Sequence, residues 1–458
     1  MPIGLSRALE QPRWRLLFAG GLVLFVLSYL SYWAGAPQKG LTAFLIGMVA
    51  LAGGIAFYGW LAWRFFLRPL PAGAASQARW DVRVEVRRLL AILLALGAIS
   101  LTVGGFWDEV WHRKYGLPFG EDLLWPPHLL IYFGLLLPPV LAGVSLVLHM
   151  ARGRGSIQQR VRSDRHLGLL VVLGGFLLFT VPADPVWHII YGEDISAWSL
   201  PHLVLMLSAL ILAILGASFQ VSTAARGPGW TSVIRLSPAS AFSLAFFTAA
   251  ASIMAQVLIG DFAFGNTAAL ARPAWLLPSL ICGVTVLVGS LANHATRSYG
   301  AATVVGLLTL ATRAALVAAF DFQEIGAASW LPLLPPLVAL DIAYGLRASR
   351  GQAPAAPPVI GAVVAIGALP TIFLLPLFFV SPDLSLGALL TALLMTGLSA
   401  WAANWLGRML GEWLTLGAEA SLQPATGRLA WAGAALFVGA ILVIIYLVGT
   451  SGPPTHVF

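Results

Sequence analysis

Apolar runs of about 18–22 residues recur along the whole of this 458-residue chain, and each is long enough to cross the hydrocarbon core of a bilayer. That recurrence leaves few folds open. In hydrocarbon every backbone N–H and C=O needs a partner within the protein, and a helix supplies one inside each run. The composition agrees: 59% of residues are hydrophobic, 10% are charged and the mean hydropathy is +0.88. The fold class expected is all-α, a polytopic transmembrane helical bundle of about 13 spans. These fall near 15–34, 41–63, 89–107, 128–149, 167–183, 202–220, 239–259, 274–292, 301–320, 331–347, 358–380, 386–403 and 430–449. The run from Leu16 to Trp33, preceded by Arg7, Arg13 and Arg15, imitates a signal peptide but is long for one, and reads as the first span.

The formal net charge is +8, and its placement speaks for topology, not for nucleic acid. Arg64, Arg68, Arg79, Arg83, Arg87 and Arg88 crowd one connection, and Arg152, Arg154, Arg160, Arg162 and Arg165 crowd another. Arg226 and Arg235, Arg297, Arg347 and Arg350, then Arg408 and Arg428 continue the alternation. The positive-inside rule puts these connections in the cytoplasm. The intervening ones then face the periplasm or cell exterior, which suits an inner (plasma) membrane protein of bacterial type. The single cysteine, Cys282, excludes an internal disulfide and any Cys-x-x-Cys motif. No phosphate-binding glycine loop is present.

Two outward connections carry a repeat. Asp108-Glu-Val-Trp-His112, followed by Pro127-His128, returns seventy-six residues later as Asp184-Pro-Val-Trp-His188, followed by Pro201-His202. Both copies read Asp-x-Val-Trp-His-x-x-Tyr-Gly, then Glu-Asp, then Trp, then Pro-His-Leu. Asp and His four apart share one face of a helix. A hairpin returning to the next span would bring the later histidine back toward that pair. One carboxylate with two imidazoles is a three-ligand set for copper, zinc, iron or nickel. The metal ligands expected are therefore Asp108, His112 and His128 at one site and Asp184, His188 and His202 at the other. The alternative is a structural Asp–His hydrogen bond in each copy. Weaker echoes at Asp261 with Trp275, and Asp321 with Trp330, suggest repeated helical hairpins.

Around residues 85–225 the chain resembles one of the integral membrane subunits of the copper membrane monooxygenases, the family of the particulate methane and ammonia enzymes. The family's motif there is Asp-x-x-Trp-His, an acidic residue, and Pro-x-His opening a helix, matched here by Asp108, Trp111, His112, Asp122, Pro126 and His128. Its second cluster has Asn, a histidine four later and another fourteen beyond, intervals matched by Asp184, His188 and His202. Asp184 stands where the family has Asn, and Leu117 to Gly120 looks inserted. The resemblance implies copper as cofactor, with zinc possible at one site. It implies a component of an enzyme oxidising a small apolar substrate with dioxygen. The partners it implies are other membrane subunits and a soluble, copper-binding one.

This divides the chain into an N-terminal two-helix region (1–84), a metal-binding region (85–225) and a C-terminal region without an assigned role (226–458). Two further functions remain open. One is a non-catalytic copper-binding or copper-handling membrane protein. The other is a proton- or cation-coupled transporter, which would gain if Arg313, Asp341 and Asp261 lined one cavity. Seven methionines without an array argue against copper(I) transport. Arg313 and Asp341, both inside spans, read as a structural ion pair. Glu109, Asp122 and Asp194 are candidates to orient imidazoles; Glu121 and Glu193 read as solvated. Trp107, Trp111, Trp125, Trp187 and Trp198 read mainly as interface anchors. Gln256 and Asp261 could add to an outward polar pocket. His149 and His166 read as histidines of the cytoplasmic face, and His294 and His456 as isolated.

Overall fold

The computed structural model describes residues 82–115, 125–151, 155–181, 200–223, 230–233, 238–263, 273–321, 327–348, 357–377 and 385–415, with short pieces between 49 and 65. Among these, eight helices are long and apolar enough to cross a membrane: Val84–Trp111, Pro126–Ala151, His202–Thr223, Leu276–Thr296, Ala301–Ala319, Ala328–Leu346, Val359–Leu377 and Leu386–Glu412. Shorter apolar helices, His166–Leu178 and Leu244–Leu258, fall where two further spans were expected. The expected spans 15–34 and 430–449 lie outside the described residues, and 41–63 is described only in fragments.

The chain divides into two units, one of residues 1–83 and 135–211, the other of 84–134 and 212–458. In the second unit, α1 (Val84–Tyr115) is followed by the first part of α2 (Pro126–Ala151). At 32 residues α1 is about 48 Å long, well beyond the ~30 Å of hydrocarbon, so it carries polar residues past the apolar layer. Its contact with α2 is close because small residues line it. A methyl group at Gly104 would stand 2.8 Å from Leu130 Cβ, and one at Gly134 would stand 2.7 Å from the Gly97 carbonyl oxygen. Ser100 Oγ donates to the Leu130 carbonyl at 2.9 Å, tying the two backbones at the same level. Such small-residue contacts replace the hydrophobic drive that is absent between helices in lipid.

The first unit holds the remainder of α2, then α3 (Ile157–Ser163), α4 (Arg165–Leu169), a π-helical stretch (Leu170–Gly174), α5 (Gly175–Thr180) and the start of α6 (Leu200–Thr223). Ser156 and Gln159 form a capping box that starts α3. His149 and His166 are both buried here. Arg160 closes this end by donating to the carbonyls of His149 and Met150 at 2.8 and 3.0 Å.

The rest of the second unit is α7 (Pro238–Ala263), α8 (Leu276–Thr296), α9 (Ala301–Ala319), a 3-10 turn (Ala327–Leu333), α10 (Leu334–Ala348), α11 (Pro357–Ala368), α12 (Pro370–Leu374) and α13 (Leu386–Thr415). The one described sheet is a parallel pair, β1 (Thr231–Ser232) with β2 (Ser298–Tyr299), in register Thr231 to Ser298. α8 is the most buried of the eight long apolar helices and α13 the least. On α13, Leu386, Leu390, Leu394 and Leu398 stay exposed at four-residue spacing, a face suited to acyl chains. The hairpin from α8 to α9 turns within Arg297–Gly300. Gly300 has φ +93°, and a side chain there would also meet Val233 Cγ1 at 2.7 Å, so glycine is required twice over.

Asp341 and Arg313 do not form the expected ion pair. Asp341 on α10 accepts from Thr303 N at 2.6 Å and from Asn293 Nδ2 at 2.7 Å, and Asn293 Oδ1 accepts from Ala302 N at 3.0 Å. These bonds satisfy the first amides of α9, which have no partner inside the helix. Arg313 lies ten residues further along α9, about 15 Å at 1.5 Å per residue, too far for Asp341 to reach.

Candidate metal centre

The centre lies at the far end of α1, where apolar sequence gives way to Trp107-Asp108-Glu109-Val110-Trp111-His112. The same helix runs on through Tyr115. Opposite, Trp125 precedes α2, and Leu129 N donates to the Trp125 carbonyl at 2.9 Å, closing the first turn. That turn holds His128 at the third position of the helix. The close approach at Gly104 therefore sets the separation of Asp108 from His128.

Asp108 Oδ1 and His128 Nε2 are 2.8 Å apart, with side chains 17% and 10% exposed. This is a direct carboxylate–imidazole contact. The spacing also matches two ligands of one ion. Donors at about 2.0 Å from a metal, roughly at right angles, stand about 2.8 Å from each other. The donor set thus fits copper or zinc without backbone movement. His112 is placed on α1 one turn beyond Asp108, and its side chain lies outside the described residues. Asp184 and His188 lie wholly outside them; His202 is described, partly buried near the start of α6 in the first unit. Among the described residues no group of three or more His, Cys, Asp or Glu side chains is assembled for a metal.

Aromatic rings enclose the pair. Trp107 meets Trp111 edge to face at 5.5 Å, and Trp111 meets Trp125 likewise at 4.6 Å. These three tryptophans are buried in one cluster with Ile99, Val103, Phe106, Val110, Leu316 and Val317. They are walls of the protein interior, where interface anchoring was expected. The Asp-x-x-Trp-His spacing held the signal for this: Trp107 and Trp111 are four apart and stack on one helix face.

Beside this cluster lies the feature that sequence reading missed. Arg313 Nη1 on α9 donates to Glu109 Oε2 at 3.0 Å, with side chains 2% and 9% exposed. Its guanidinium carbon stands 4.4 Å from the Phe106 ring centre and 4.9 Å from that of Trp330. Glu109 is thus the partner of an arginine. Gln256 Nε2 donates to the Gly105 carbonyl at 2.6 Å, joining α7 to the same end of α1. Asp261 has no described side chain.

His294 is far from isolated. Its Nε2 lies 3.0 Å from Tyr344 Oη, and Trp230 stacks on the Tyr344 ring at 5.1 Å. Asn404 takes a hydrogen bond from Ser290 Oγ at 3.0 Å and reaches Tyr344 Oη at 3.5 Å. All are buried or half-buried, and together they join α8, α10 and α13. No family model matches the chain, and no curated protein or solved structure matches it either.

Proposed function

We propose that this chain is a copper-binding membrane protein and a component of an oxygenase acting on a small apolar substrate. The carrying observation is the Asp108–His128 pair, held at ligand-to-ligand spacing inside a wall of tryptophan. His112, one helical turn from Asp108, would complete the first set, and Asp184, His188 and His202 the second. Bound copper would supply dioxygen activation. The chain's own residues would hold the ion and exclude water with Trp107, Trp111 and Trp125. The resemblance to the monooxygenase family supports copper over zinc and implies partner subunits in the membrane, one of them with a soluble copper domain. A non-catalytic copper-binding role is the alternative. The separate partners of Arg313 and Asp341 take support from a proton-cavity transporter.

The test is metal content and electron paramagnetic resonance of the full chain in nanodiscs. We expect stoichiometric copper with nitrogen hyperfine coupling from imidazole. Asp108→Ala and His128→Ala should each weaken binding at the first site by at least about 100-fold, since each removes a ligand. Copper absent from the wild type, or unchanged in both variants, refutes the site. Oxygen consumption on adding a reductant, with an apolar substrate and co-purified partners, separates the oxygenase from a mere copper binder.

We further propose thirteen spans, with both Asp-His segments extracytoplasmic. Ser156, exposed at the start of α3, lies in an arginine-rich connection and would be cytoplasmic. An impermeant thiol reagent added outside intact cells should label Leu117→Cys and spare Ser156→Cys. The reverse pattern inverts the topology.

A further inference from the structure

Asp108 and Glu109 are consecutive carboxylates, yet α1 sends them to different partners. Neighbouring residues of a helix point about 100° apart. Asp108 meets His128 at the start of α2, whereas Glu109 meets Arg313 on α9. The guanidinium is held by that carboxylate and by the rings of Phe106 and Trp330. A carboxylate this buried is costly without a cation, and a metal ion one residue away would be the obvious substitute. Arg313 occupies Glu109 first.

We infer that Arg313 is a positioning residue for the Asp108–His128 centre: by holding Glu109 it leaves one carboxylate for the ion and fixes the rotation of this end of α1. The inference rests on the metal-binding reading above. Arg313 and Glu109 cancel in charge, so Asp108 alone contributes negative charge to a site otherwise made of neutral imidazole. Without Arg313 the site would gain a second carboxylate and become oxygen-rich, a harder donor set that favours copper less. The planar fork stacked on two rings suits this task as a lysine ammonium would not.

The test uses the full chain in nanodiscs, titrated with copper(II) against a chelator and read by electron paramagnetic resonance. Arg313→Gln should weaken copper binding about 10-fold or more, the scale of lost supporting contacts around a metal. It should also move the spectrum toward oxygen ligation, with higher g-parallel and smaller copper hyperfine splitting. Adding Glu109→Gln should return the spectrum to the wild-type position, because the competing carboxylate is gone. A wild-type spectrum in Arg313→Gln, or no return in the double variant, overturns the inference. Should Arg313→Gln not fold, Arg313→Lys decides. Weaker copper binding there, with the protein folded, supports positioning by the fork, and an unchanged dissociation constant overturns it. Wild-type protein that binds no copper through imidazole sinks the metal reading itself, a result distinct from either.

Discussion

Glu109→Leu should destabilise the folded protein by about 3–5 kcal/mol, because it leaves the Arg313 guanidinium buried without its counter-ion. The cost is not the worth of the pair. Both groups lost their hydration on burial, and their mutual attraction offsets that loss only while both are present. Arg313 is 2% exposed, and the faces of Phe106 and Trp330 offset only part of the charge, about 0.5–2 kcal/mol each at most. Removing both partners should therefore hurt less than removing one. The double variant Glu109→Leu with Arg313→Leu is expected to recover most of the loss. Thermal or denaturant unfolding of the four proteins in nanodiscs measures this. If Glu109→Leu costs under about 1 kcal/mol, water or lipid headgroups reach the arginine and the pair is a surface one. If the double variant is worse than either single change, the pair is net stabilising, beyond relieving its own desolvation.

What could be read without coordinates follows from which interactions are local. Ten of the expected spans coincide with apolar helices because about twenty apolar residues in a row have one backbone solution in lipid. The convergence of Asp108 with His128 was visible because both flank a short connection, so a hairpin brings them together wherever its helices pack. Arg313 was a different matter. Its two candidate partners, Asp341 and Glu109, lie on α10 and α1, and no periodicity states how α9 is registered against either. Arg313 and Asp341 are nearer in sequence, yet they stand at different levels of the bundle. The His294 cluster was hidden for the same reason. Trp230, Tyr344 and Asn404 come from three segments, and nothing about a lone histidine in sequence marks its neighbours. The tryptophans were misjudged because interfacial anchoring is the commoner role of tryptophan in such chains, and only the packing of α9 against α1 shows that Trp107 and Trp111 face inward.

The second large effect is expected at Asp341. Asp341→Leu removes the acceptor for Thr303 N and for Asn293 Nδ2, two buried donors at 2.6 and 2.7 Å. Each buried donor left without a partner costs about 1–3 kcal/mol, so the loss should be about 3 kcal/mol or more. The carboxylate also sits at the positive end of the α9 dipole, which favours its ionised form there. Asp341→Asn separates the two contributions. Its amide keeps one acceptor oxygen but turns an N–H toward one of the two donors, so it should lose a hydrogen bond and the charge while keeping the volume. We expect it to fall between wild type and Asp341→Leu. Asn293→Leu should resemble Asp341→Leu, because Asn293 serves as donor to Asp341 and acceptor for Ala302 N. The two changes together should cost less than their sum, since they dismantle one network. Unfolding midpoints of these variants in nanodiscs provide the measurement. An Asp341→Leu protein as stable as wild type would mean that the start of α9 finds other partners, and that Asp341 is held in the span for some purpose other than closing that helix.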